Sequence, residues 1–107
     1  MSFMYSEIGG LRWGQSFWNA ANATWPFATL QIGRDGIELR MILWPFSQRF
    51  TLKRHEVECL KTRRGLFSFG VQVEHRKREY PPFILFWSFS PKTLLSSAQG
   101  AGYRIAE

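Results

Sequence analysis

His55 and Cys59 stand four positions apart and are the first pair in this 107-residue chain whose types bind metal or act as nucleophiles. On a helix that spacing would put both on one face, but a structural zinc site needs a full tetrahedral ligand set. The only other histidine, His75, falls at a predicted strand end and completes no such set. Cys59 alternates with Glu58 and reads more simply as a small core residue, because free cysteine is among the most often buried types. A nucleophilic serine or cysteine further needs a base that a carboxylate orients. Gly14-Gln15-Ser16-Phe17-Trp18 offers a serine but lacks the second glycine of a nucleophile elbow. Gly100-Ala101-Gly102 opens like a dinucleotide fingerprint, yet the third glycine is missing and a predicted helix, not a strand, precedes it. The expectation is a chain with no catalytic site, no metal and no cofactor.

The chemistry that does stand out is electrostatic. Residues 49 to 78 hold nine Lys or Arg against three Glu, a surplus that equals the +6 net charge of the whole chain. The cations gather at predicted turns as Lys53-Arg54, Lys61 with Arg63-Arg64, and Arg76-Lys77-Arg78, with Arg34 in an earlier turn. Arg34, Lys61, Arg63, Arg64, Arg76, Lys77 and Arg78 are therefore the candidate anion-binding residues, and acidic membrane headgroups are the matching ligand. The competing reading is a set of solvated turns that keep the protein soluble. In a meander the second and third groups leave opposite ends of one strand, roughly 30 Å apart at ~3.3 Å per residue, so they do not share a pocket. Nucleic-acid binding on a sheet needs exposed aromatics among the cations. Phe67 and Phe69 instead share a predicted face with Val71 and Val73, which favours core packing and counts against a nucleic-acid partner.

Positioning these groups falls mainly to strands. Hydrophobic residues make up 45% of the chain and aromatics 17%, enough burial to exclude intrinsic disorder, and the length suits one domain. Alternation from Phe27 to Ile32 and from Ile37 to Leu43 brackets Gly33-Arg34-Asp35-Gly36, a hairpin signature. Arg49 to Leu52 and Val57 to Lys61 read as short strands, Thr62-Arg63-Arg64-Gly65 as a turn, and Leu66 to His75 as a long strand. After Tyr80-Pro81-Pro82, Phe83 to Phe89 is apolar on both faces, as in a strand covered on each side. Ser90-Pro91 then marks a helix start, Leu94, Leu95, Ala98 and Ala101 follow at helical spacing, and Gly100 with Gly102 marks its end.

Residues 1 to 26 carry Phe3, Tyr5, Trp13, Phe17, Trp18 and Trp25 without a sustained period. They are expected to form an extension that folds back over the domain of residues 27 to 107 or meets a partner. Trp13, Phe17 and Trp18 are the candidate interface residues, with self-association or another protein as the partner. A single cysteine, no basic and apolar leader and no apolar run near ~20 residues predict a cytoplasmic protein without a membrane span.

Six or seven short strands closed by one C-terminal helix predict a mainly β fold, a small antiparallel barrel or orthogonal sandwich. Trp25-Pro26-Phe27-Ala28-Thr29-Leu30, the Gly33-Arg34-Asp35-Gly36 turn, the Phe83 to Phe89 strand and the closing Ser90-Pro91-Lys92 helix resemble the pleckstrin-homology superfold. The likeness is strongest to its small stand-alone bacterial PH-like and GRAM-like proteins. That resemblance implies a non-enzymatic domain that binds anionic lipid headgroups, peptides or proteins.

Overall fold

A period of two places alternate side chains on opposite faces of a strand, and strands of that kind make up most of this chain. The computed structural model describes residues 3–64 and 69–106. Among these, β1 (Tyr5–Gly14), β2 (Ala20–Ile32), β3 (Gly36–Leu43) and β4 (Phe46–Lys53) form an antiparallel meander. A 3-10 turn (Arg54–Glu56) leads into β5 (Val57–Arg64), β6 (Phe69–His75) and β7 (Phe83–Ser88), followed by helix α1 (Pro91–Gly100) and the short β8 (Ile105–Ala106). The strands lie in the order β4-β3-β2-β1-β7-β6-β5-β8, antiparallel except for β8 on β5.

The fold is thus mainly β with one C-terminal helix, but the sheet is open, mixed and eight-stranded, not the closed barrel of six or seven strands expected. Two physical reasons account for the difference. Residues 5–14 and 20–26, expected in an extension, supply β1 and the first half of β2, and β1 sits at the middle of the sheet between β2 and β7. At the β4 edge the Thr51 N–H donates to Tyr80 Oη at 3.1 Å and the Thr51 carbonyl accepts from Lys77 Nζ at 3.3 Å, so side chains fill the place where a ladder would close. The expected turn at Thr62 to Arg64 belongs to β5, while Gly65 and the first part of the Leu66 to His75 strand lie outside the described residues.

One sheet buries a core only by folding over on itself. The register moves from Gly9↔Ala28 to Leu11↔Ala23, so β2 spends five steps where β1 spends two, and residues 24–27 are pushed outward as a wide bulge. At the same place a Cβ on Gly9 would press against the Trp87 carbonyl and the Phe86 ring, so only glycine lets β1 approach β7 this closely. Leu39 and Phe50 from one half then meet Val71 and Phe86 from the other in a single core, which Leu94 and Ala98 of α1 join. The Glu7 carboxylate ties the bend to the end of β7 by accepting from Ser88 Oγ at 2.8 and 2.9 Å and from the Phe89 N–H at 2.9 Å.

The helix ends as its glycines predict. Gly102 has φ +97°, its N–H donates to the Gln99 carbonyl and the Tyr103 N–H to the Ala98 carbonyl, the paired bonds of a Schellman cap. Arg54 then grips this end from another element, donating to the carbonyls of Ala101 at 2.7 Å, Gly102 at 3.1 Å and Arg34 at 3.1 Å. A cation there also opposes the negative end of the helix dipole. Below it the Tyr103 hydroxyl donates to the Gly33 carbonyl at 2.7 Å, joining the chain's end to the β2–β3 turn.

Two outcomes follow for this joint. Replacing Arg54 with Met should lower unfolding stability by about 1 kcal/mol, given ~1.5–3 kcal/mol for hydrogen bonds to charged groups and the partial exposure of these. Arg54→Lys should not restore it in urea titrations, because one ammonium lacks the guanidinium fork that spans several carbonyls. Burial pushes the Tyr103 phenol up from 10.0 to about 12, with Arg54 opposing the shift. A folded-state value above the unfolded one means the stability is complete below pH 10 and is lost as pH rises towards 12. The Tyr103→Phe protein should lack that part of the alkaline loss when urea midpoints at pH 8 and pH 11 are compared.

Candidate functional site

The basic residues stand where strand geometry sends them, and that is apart. Val57↔His75 and Arg64↔Phe69 bound the β5–β6 ladder, so Arg63-Arg64 leave one end and Arg76-Lys77-Arg78 the other, about 20 Å away at ~3.3 Å per residue. Lys61 and Arg63 share the outer face of β5, and Arg34 sits in the β2–β3 turn. Many of these cations already have partners. Arg76 pairs with Glu58 at 3.3 Å, while Lys77 reaches Glu56 at 3.8 Å and lies 4.7 Å over the Tyr80 ring. Glu56 also accepts from the Lys53 N–H, and that bond, ahead of Lys77 itself, holds its carboxyl below the usual carboxylate range. Arg63 donates to Gln72 at 3.2 Å, and Arg64 lies 5.6 Å over Phe69. The seven do not meet in one pocket, although Arg76, Lys77 and Arg78 line a recess of about 260 Å³ with His75, Tyr80 and Pro82.

The β1–β2 loop explains Arg63. Phe17 folds back onto the outer face of β7, edge-on to Phe83 at 5.9 Å and Trp87 at 6.5 Å. Arg12 at 4.9 Å and Arg63 at 4.7 Å cover its ring, and Arg12 Nε donates to the Phe17 carbonyl at 2.7 Å. Hence Leu85 and Phe83 are buried although they face away from the main core, as the two-sided apolar strand requires. Of the candidate interface aromatics, Trp13 is half-buried against Phe50 at 6.3 Å and Phe17 is held as described. Trp18, at 86% exposed, is the one that faces solvent.

The open apolar surface lies elsewhere, and sequence reasoning missed it. The turn between β3 and β4, Leu43-Trp44-Pro45-Phe46, contains no polar residue, and Trp44 and Phe46 are 89% and 70% exposed. Phe27 and Ile42 are the next positions beyond the Ala28↔Met41 pair, and both are exposed. Trp25, two residues before Phe27, sits in the bulge and packs edge-on against exposed Phe89 at 6.1 Å. An apolar stripe of Phe89, Trp25, Phe27, Ile42 and Trp44 therefore lies at one end of the sheet, since the β2–β3 register sets Trp25 and Trp44 beyond the same end of the Phe27–Ile42 position, while Leu43 and Phe46 pair in the inward row of Met41. Beside Trp25 lies a recess of about 250 Å³ lined by Gly10, Asn22, Thr24, Trp25, Trp87, Ser88 and Phe89. The signal in the sequence was the all-apolar turn, since hairpin tips normally carry Gly, Asn, Asp or Ser.

Nothing in the remaining chemistry converges. Among the described residues no three His, Cys, Asp or Glu are grouped to hold a metal. His75 accepts the Lys77 N–H on Nδ1 at 3.0 Å and meets the Pro81 carbonyl through Nε2 at 2.8 Å, so it shapes the β6–β7 loop. Cys59 is buried and donates to Glu74 at 3.4 Å; burial first, then Glu74, pushes its thiol up. No helix among the described residues is long and apolar enough to cross a membrane.

Cys59 should accordingly resist iodoacetamide at pH 8 in the folded protein and react on addition of denaturant, as read by intact mass. Phe17→Ala should cost about 2 kcal/mol in chemical denaturation, below the ~3–5 kcal/mol of a fully buried phenylalanine. Trp18→Ala should stay within ~0.5 kcal/mol of the parent.

No family model matches this chain, and no curated protein or solved structure matches it.

Proposed function

We propose that the chain is a non-enzymatic binding or assembly module that acts through protein contacts. The observation that carries this reading is the apolar stripe from Phe89 to Trp44. Soluble monomers rarely expose a contiguous apolar patch larger than a few hundred Å², whereas here Trp25 packs on Phe89, Phe27 neighbours Ile42, and all four are exposed together with Trp44. The basic turns support an anion-binding function less well, because they are split between sheet ends and several are paired with this chain's own groups. The pleckstrin-homology-like reading belongs to the same proposal. Its support is the run of seven antiparallel strands in the order β4-β3-β2-β1-β7-β6-β5, followed by a helix whose apolar face enters the core.

Photo-crosslinking tests the reading. With benzoylphenylalanine in place of Trp44 or Trp25, irradiation of cells expressing the chain should give protein adducts, and they should persist when extracts are made in 1 M salt before irradiation. The same group at Trp18, equally exposed but off the stripe, should give few. Adducts to lipid alone, or none at either stripe position, would overturn the proposal and return attention to the basic turns.

A further inference from the structure

Where a sheet stays open, its outermost strand keeps backbone groups without ladder partners. At one end of this sheet that strand is β4, which is paired with β3 alone. We infer that its edge takes up an extended segment of another protein, which adds antiparallel to β4 beside Ser47 and Arg49 and sets an acidic side chain against Arg49. The inference rests on the protein-contact reading above and names the form and charge of the partner.

Backbone direction is the first argument. Along an antiparallel pair, residues bonded to the neighbouring strand alternate with residues whose N–H and C=O point away from it. Tyr80 Oη and Lys77 Nζ bond the Thr51 N–H and carbonyl, and Glu56 Oε1 accepts from the Lys53 N–H, so positions 51 and 53 point to the open side. The β3–β4 register runs without a shift from Gly36↔Lys53 to Leu43↔Phe46, so Ser47 and Arg49 point the same way. Among the described residues no other backbone group bonds to either, and all of Phe46 to Arg49 are exposed. Each of the two can exchange both of its bonds with one residue of an antiparallel guest. Tyr80 and Lys77 end the free stretch at Thr51, which leaves room for about five guest residues, or ~17 Å at ~3.4 Å per residue.

The side chains beside the edge set the pattern of the guest. On the outer face Phe27, Ile42 and Ser47 follow one another across β2, β3 and β4, so an apolar residue placed opposite Ser47 extends the stripe by one strand. On the other face Phe46 is exposed, and guest residues opposite Phe46 and Gln48 stand beside its ring. In strand addition the guest's main chain supplies affinity and its alternate side chains supply specificity. The pattern is therefore an acidic residue opposite Arg49, followed two positions later by an apolar one opposite Ser47.

Charge selects the acid. Arg40 and Arg49 are direct cross-strand partners on the outer face, a like-charged pair that costs stability. Glu38 meets Arg49 at 3.3 Å and is the one carboxylate of β3, while β4 has none. A guest carboxylate opposite Arg49 compensates the second cation of the pair. A second copy of β4 would bring Arg49 and Lys53 without any acid, so the edge disfavours this chain's own copies along with other cationic strands.

The probe is the fluorescein-labelled peptide Gly-Ser-Thr-Glu-Val-Ile-Val-Ser-Gly, whose Glu is placed for Arg49 and whose Ile for Ser47. Fluorescence anisotropy with the whole chain should show saturable binding below about 1 mM, and replacing the peptide's Glu with Lys should weaken it at least about tenfold. Ser47→Pro removes one edge donor but no β3–β4 bond, because that N–H points outward, and should weaken binding at least about tenfold with circular dichroism unchanged. Arg49→Glu leaves the backbone intact and should reverse the preference between the Glu and Lys peptides. In nuclear magnetic resonance the Ser47 and Arg49 amides should exchange with deuterium more slowly when the Glu peptide is bound. No saturation in that range, equal binding of the two peptides, amides that exchange as before, or a folded Ser47→Pro protein that binds like the parent would each refute the inference. If Trp44 and Trp25 still gave protein crosslinks, the protein-contact reading would stand and only the edge would fall; with no protein crosslinks, both would fall.

Discussion

A single sheet cannot enclose its own apolar face unless it bends, and here the bend is concentrated where β1 passes Gly9 and Gly10 beside the bulge of residues 24–27. Everything buried depends on it. Inward residues of β3 and β4 share one core with those of β6 and β7 across the fold, and the two halves face each other because β1 belongs to both. Glu7 secures the geometry from the side, since its carboxylate accepts from the Tyr5 hydroxyl at 2.6 Å as well as from Ser88 and Phe89. Every buried side-chain nitrogen and oxygen among the described residues has a hydrogen-bond partner, so the bend is made without stranded polar groups.

Several of the chain's cations hold the fold together. Arg54 closes the helix C-terminus, Lys77 occupies the β4 edge, and Arg12 with Arg63 roofs Phe17. Long cationic side chains suit these tasks because their stems cover apolar surface while their heads reach several carbonyls or an aromatic face. The β4 edge gains most. An unpaired strand edge is a template for aggregation, and bonding both backbone groups of Thr51 to side chains shortens the stretch that another strand could extend.

Much of the fold was legible in the residues, for local reasons. The Gly33–Gly36 turn and its flanking alternation gave β2 and β3, and the Ser90-Pro91 start with Gly102 at the stop gave α1, because each signal acts within a few residues. The first 26 residues resisted reading because Gly9, Gly10 and the wide bulge break the period that identifies strands, and because their pairing with β7 is set by tertiary contact. The candidate surface was harder still. Alternation tells which residues share a face, but the roofing of Phe83 and Leu85 by a loop, and the exposure of Trp25 and Phe27 at a register slip, are consequences of packing. Likewise the roles of Arg54 and Lys77 lie in carbonyls many residues away.

The pairing of β1 with β7 carries a cost during synthesis. Gly10 lies opposite Trp87 in the finished sheet, yet about 75 residues separate them, and at ~5–20 residues per second a ribosome needs on the order of 4–15 s to cover that distance. For that interval the nascent meander of β1 to β4 holds Leu11 and its neighbours with one face and one edge uncovered. Strand capture of the growing chain therefore has its longest opening before release, while the β7 partner of β1 has yet to be made.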